Sequence, residues 1–194
     1  MQKYCTGRTD FFVSEEIMEE YREEFGPELW EGSYLDNIRV IEEDMLRGRD
    51  EFKEYIRLFA GLRRREDPTV KDIGVLYAHG DSDGEWLYVD ADEETPVQKW
   101  VDSQDGRYGA LLLAVCNPGC SSSPRTHTPK TRASLLLAAE SDVHFYDWKD
   151  AFCLDLIKPG GEIIDSYTIG YELEHLRKQL EEPEGRTGAP TSSS

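Results

Sequence analysis

Apolar positions recur along this chain at two spacings, and the change from one to the other divides it. Over residues 14–62 the spacing is helical. Ile17, Tyr21 and Phe25 fall four apart and form one stripe. Ser14 caps it, Glu15 and Glu16 lie at the positive end of its dipole, and Gly26-Pro27 stops it. Ile38, Ile41 and Met45 form a second stripe. Asp50 is read as the cap of a third helix, with Phe52, Ile56 and Phe59 inward and Gly61 at its end.

From Lys71 the spacing changes. Ile73 to Ala78 is a continuous apolar run, as in a strand buried on both faces, and it ends on His79-Gly80-Asp81. Asp83-Gly84 is a turn signal. Residues 85–90 then alternate, with Trp86 and Tyr88 on one face and Leu87 and Val89 on the other. Thr95-Pro96 predicts a helix with proline at its first position, carrying Val97, Trp100 and Val101 and closed by Asp105-Gly106. Ala110 to Val115 is a second buried strand, ending on Cys116-Asn117-Pro118-Gly119. Ser134 to Ala139 is a third, and Val143 to Tyr146 is read as a fourth. The stretch 117–132, rich in Ser, Pro, Thr and Gly, is a long loop. Pro159-Gly160-Gly161 is a turn. Ile169, Leu173, Leu176 and Leu180 mark a closing helix.

These elements predict an α/β protein: a small, mainly parallel sheet flanked by helices, with a helical N-terminal segment (1–66) packed on an α/β core (67–182). The tail 183–194 has nothing apolar to bury and is expected to be disordered. About 60 residues of short helices would struggle to hold a core alone, so the N-terminal segment is expected to rest on the sheet.

Charge narrows the partners. The 194 residues carry 22 Lys and Arg against 40 Asp and Glu, a formal net charge of −18. Such a surface repels phosphate backbones, so nucleic acid is not an expected partner. Arg63-Arg64-Arg65 is followed by Glu66 and Asp67 and reads as a helix C-terminus. No apolar run approaches the roughly 20 residues of a membrane span, and no signal peptide opens the chain. Four cysteines (Cys5, Cys116, Cys120 and Cys153) do not make a disulfide scaffold, which points to reduced thiols and a cytoplasmic setting.

Two strands of the buried type end in reactive residues, His79 and Cys116, with a helix crossing between them. That arrangement yields parallel strands, and open parallel sheets carry their sites at the carboxyl ends. A thiol becomes a nucleophile when an imidazole within reach takes its proton. Gly80 has no side chain, so its N–H can approach a substrate carbonyl and form an oxyanion hole with the N–H of Cys116. The stretches Val75-Leu76-Tyr77-Ala78-His79-Gly80 and Leu112-Leu113-Ala114-Val115-Cys116 resemble the His-Gly and Ala-Cys motifs of the caspase-like (clan CD) cysteine peptidases, each of which follows an apolar strand. Here Val115 stands in place of the alanine. The resemblance covers residues 72–140. It implies Cys116 as nucleophile, His79 as base and Gly80 in the oxyanion hole, acting on a peptide or protein substrate with no cofactor.

Other chemistry stays open beside this. A noncatalytic acidic module that binds a protein partner would bury the same thiol. Zinc held by Cys116, Cys120 and His127, with His144 or Cys153, would staple the long loop. Asp81, Asp83 and Glu85 read as a solvated turn, because a calcium loop would need glutamate where Asp92 stands. No GxSxG elbow, GxGxxG fingerprint or phosphate loop is present, which argues against serine esterases and nucleotide enzymes. Oligomeric state is not legible in the sequence.

Overall fold

The computed structural model describes residues 1–25, 46, 48–90, 93–116, 131, 133–139, 154–165 and 167–182. The elements, in chain order, are β1 (Gln2–Thr6), β2 (Thr9–Val13), α1 (Glu15–Phe25), α2 (Asp50–Glu66), β3 (Lys71–Tyr77), β4 (His79–Gly80), β5 (Trp86–Asp90), β6 (Glu93–Pro96), α3 (Val97–Gln104), β7 (Tyr108–Ala114), β8 (Leu135–Ala139), β9 (Leu154–Ile157), β10 (Ile163–Ile164) and α4 (Ile169–Glu181).

The architecture is α/β. A seven-stranded sheet has the order β1-β2-β3-β7-β8-β9-β10, and β4, β5 and β6 form a small second sheet. The four central strands β2, β3, β7 and β8 run parallel. Antiparallel strands close both sides: β1 on one, β9 and β10 on the other. Because the central strands are covered on both faces, the carboxyl halves of β2 and β3 are apolar, and every residue of β7 is buried.

Alternation along each strand sorts its side chains between two cores. Ala110, Leu112 and Ala114 of β7 face a layer formed by Tyr55, Ile56 and Leu58 of α2 and Ile169, Leu173 and Leu176 of α4. Leu111, Leu113 and Val115 face the opposite layer, formed by Val97, Trp100 and Val101 of α3 and Leu87 and Val89 of β5. Each fully buried Leu or Val contributes about 1.5–3 kcal/mol relative to exposure, so the two cores dominate the stability of the fold. Helix α2 comes so close to the sheet that a Cβ on Gly109 would lie 2.7 Å from the Cα of Ala60.

Several local expectations are corrected. Residues 2–13 are not helical: they form the β1–β2 hairpin, and β2 sits beside β3 in the sheet. Phe11, Phe12 and Val13 make an apolar run too short to show a period, so long-range pairing with β3 decides its conformation. Asp50 is the first helical residue of α2, after Arg49 at the cap. Gly61 does not end that helix. A side chain there would touch Leu180 of α4, and the helix runs on until Arg63, Arg64 and Arg65 occupy its last turn. Pro96 caps α3 from outside and belongs to β6. The stripe Ile38, Ile41 and Met45, the strand proposed at 143–146 and the tail 183–194 lie outside the described residues. Among the described residues, no helix is long and apolar enough to cross a membrane.

Candidate functional site

The site is assembled at the carboxyl edge of the parallel strands. β3 and β7 are hydrogen-bonded neighbours, with Tyr77 paired to Ala114, so the residues after these positions emerge side by side. Beyond Tyr77 the chain passes through buried Ala78 to His79 and Gly80, which turn out of the main sheet and pair with Tyr88 and Leu87 of β5. Beyond Ala114 come buried Val115 and partly exposed Cys116. The two segments are in close contact. A Cβ built on Gly80 would stand 2.6 Å from Val115 Cγ1 and 2.8 Å from the carbonyl oxygen of Cys116. Only glycine fits there, so its absent side chain sets how near His79-Gly80 lies to the end of β7.

A third element joins from the N-terminal segment. Ser14 is buried, donates its N–H to the Tyr77 carbonyl at 2.9 Å, and accepts the N–H of Ile17 on its Oγ at 3.3 Å. The start of α1 is thereby tied to the carboxyl end of β3. The first turns of α1 then carry Glu16 and Glu20 past the imidazole. His79 Nε2 lies 2.9 Å from Glu20 Oε1. A carboxylate oxygen only accepts, so the contact places the ring proton on Nε2 and leaves Nδ1 as the acceptor of the neutral ring. One donor atom each from Glu16, Glu20 and His79 lies within 4.8 Å of the others.

The structure therefore brings Gly80 against the Cys116 backbone and His79 against Glu20, at neighbouring strand ends. Sequence reasoning missed the acidic partner. Glu16 and Glu20 share a helix face four residues apart, but in a chain with 40 acidic side chains that spacing singles out nothing. Of the alternative zinc ligands, Cys120, His127, His144 and Cys153 lie outside the described residues. Asp81 is occupied with its own turn: its Oδ1 accepts the N–H of Glu85 at 2.8 Å and of Trp86 at 3.1 Å, as a solvated turn requires.

The opposite edge of the sheet holds a second polar cluster, which the sequence did not reveal. Asp10 on β2 is only 1% exposed, yet its carboxylate takes Lys3 Nζ at 2.8 Å, Lys71 Nζ at 2.5 Å and the Tyr108 hydroxyl at 2.7 Å. Burial alone would raise its carboxyl. The bonds from Lys3, Lys71, Cys5 and Tyr108 outweigh that and hold it far below the usual carboxylate range. The Cys5 thiol is pushed up by its hydrogen bond to Asp10 and by the charge of that carboxylate, which makes it a poor nucleophile at neutral pH. This cluster lies at the amino ends of β2, β3 and β7, away from His79 and Cys116. It ties the hairpin to the sheet.

No protein family, curated protein or solved structure matches this chain.

Proposed function

We propose that this protein is a cysteine-dependent hydrolase of a peptide or amide bond, with Cys116 as nucleophile and His79 as base. The observation that carries this reading is the close approach of Gly80, the residue after His79, to Cys116 at the ends of two adjacent parallel strands. The partial exposure of Cys116 supports it over the noncatalytic alternative, which would bury the thiol. The resemblance of both strand-end stretches to the caspase-like peptidases points the same way.

In this reading Glu20 positions the ring through Nε2, and Nδ1 takes the proton of the Cys116 thiol. The thiolate adds to the substrate carbonyl carbon. The carbonyl oxygen then takes up negative charge, which the N–H groups of Gly80 and Cys116 are suited to receive. Asp81 N–H donates to Trp86 O, and the alternation of an antiparallel ladder turns the Gly80 N–H away from β5. Collapse of the adduct breaks the C–N bond. The imidazolium gives its proton to the departing amine, and a thioester remains on Cys116. Water then adds to the thioester carbonyl with His79 as base, releasing the carboxylic acid and restoring the thiol.

The test is alkylation with iodoacetamide at pH 7, read residue by residue by mass spectrometry. Cys116 is expected to label faster than Cys5, and His79→Ala is expected to slow Cys116 while leaving Cys5 unchanged. Equal Cys116 rates in wild type and His79→Ala, at matched stability, would show that the two residues do not act together.

A further inference from the structure

We infer that Glu16, Glu20 and His79 form a site for one divalent transition-metal ion of the zinc class, and that its occupancy withholds the imidazole from Cys116. The second half rests on the hydrolase reading. The first half does not.

The donor set is mixed and comes from two elements. Glu16 and Glu20 stand one turn apart on α1, which is anchored at Ser14, and His79 comes from the end of β3. Two carboxylates four residues apart on a helix repel each other, and this pair sits on a chain of net charge −18. Among the described residues, the cation-capable group between them is the His79 ring. A metal ion would remove that repulsion outright.

The geometry is close to ligation. Donors around a tetrahedral zinc with bonds of about 2.0–2.2 Å stand roughly 3.4 Å apart. The three donor atoms here already lie within 4.8 Å, and both glutamates are exposed enough to turn inward by changing rotamer. An imidazole nitrogen with two carboxylate oxygens selects zinc, cobalt or nickel over magnesium or calcium, which take oxygen alone. Cys116 is not part of this cluster, so a fourth position is left for water.

The consequence for the site is direct. A metal on Nε2 would require the other tautomer, with the ring proton moved from Nε2 to Nδ1, and would turn Glu20 from a positioning group into a ligand. With its one proton on Nδ1, the ring has no lone pair left to accept another, and Cys116 loses its proton acceptor. Metal binding and thiol activation would compete for one imidazole.

The experiment uses the full chain freed of metal with chelator, titrated with zinc chloride by calorimetry. Saturable binding at one ion per chain is expected. Glu16→Gln, Glu20→Gln and His79→Ala should each weaken it roughly tenfold or more, because each removes one of three protein ligands. Glu19→Gln, a neighbouring exposed carboxylate outside the cluster, should leave it unchanged, as should the double variant Cys116→Ser, Cys120→Ser. Zinc should also slow alkylation of Cys116 in the wild type to the His79→Ala rate. Affinity equal in wild type, Glu16→Gln and Glu20→Gln overturns the site. Affinity lost with the two cysteines moves the metal to the long-loop ligand set and overturns it as well. Tight binding that leaves Cys116 labelling unaltered overturns the competition. If His79→Ala labels at the wild-type rate without zinc while the three-ligand dependence persists, the hydrolase reading fails and the metal site stands.

Discussion

Replacing Gly80 by alanine tests the site through its packing. The added Cβ would stand 2.6 Å from Val115 Cγ1, about 0.9 Å inside an ordinary carbon–carbon contact of ~3.5 Å. It would also stand 2.8 Å from the backbone oxygen of Cys116. Neither neighbour is the free end of a flexible side chain, so β4 has to move away from the end of β7. Overpacking of this size costs about 1–3 kcal/mol. A displacement near 1 Å in a catalytic constellation costs on the order of a hundredfold in rate. Gly109→Ala is the matched control. Its Cβ would meet Ala60 at 2.7 Å, a similar overlap, but between α2 and the start of β7 at the far end of the strand. Urea denaturation should report comparable losses for both variants. Alkylation of Cys116, measured where both are folded, should fall toward the His79→Ala rate in Gly80→Ala and stay at the wild-type rate in Gly109→Ala. The reasoning is refuted if Gly80→Ala labels like wild type despite the stability loss, or if both variants lose labelling in proportion to stability.

Three further outcomes follow from named contacts. Asp10→Asn should destabilise by about 2–4 kcal/mol at pH 7, the lower part of that range applying because Lys3 is 45% and Lys71 33% exposed and both can turn to water. The Asp10 carboxyl is held below its ordinary value of 3.8, so its contribution is present above that pH and is lost as pH falls toward the folded value. The gap between wild type and Asp10→Asn in urea melts should therefore close on acidification, by up to about 1.4 kcal/mol per pH unit, and a gap constant from pH 7 to pH 3 would contradict the assignment. Tyr108→Phe removes one buried hydrogen bond to that carboxylate and should cost about 1.5–3 kcal/mol, read from the shift in denaturation midpoint at unchanged slope. Ser14→Ala removes the cap of α1 and should cost about 1 kcal/mol. Because α1 carries Glu20, the Ser14→Ala variant should also slow Cys116 labelling, whereas Tyr108→Phe should not.

Local pattern carried much of the fold. The continuous apolar runs at 73–78, 110–115 and 134–139 mark strands covered on both faces, and their length and punctuation separate them from helices. The alternation of Trp86, Leu87, Tyr88 and Val89 separated the two faces of β5, and the structure buries the one with Leu87 and Val89. The positions of His79 and Cys116 just after apolar runs were equally plain. A strand's end is a local property, and so is a helix's stripe.

Pairing is not local, and what depends on it was invisible. The hairpin at 2–13 has too few apolar residues to show a period, and it becomes sheet only because β3 lies beside it. The four donors around Asp10 come from β1, β3 and β7, so nothing near it in the sequence marks this carboxylate as buried and bonded. Glu20 and His79 are 59 residues apart and meet because Ser14 ties α1 to the Tyr77 carbonyl. Sequence spacing states which residues can share a face of one element. Which faces meet is decided by burial of the whole apolar surface at once, and only the tertiary structure records that choice.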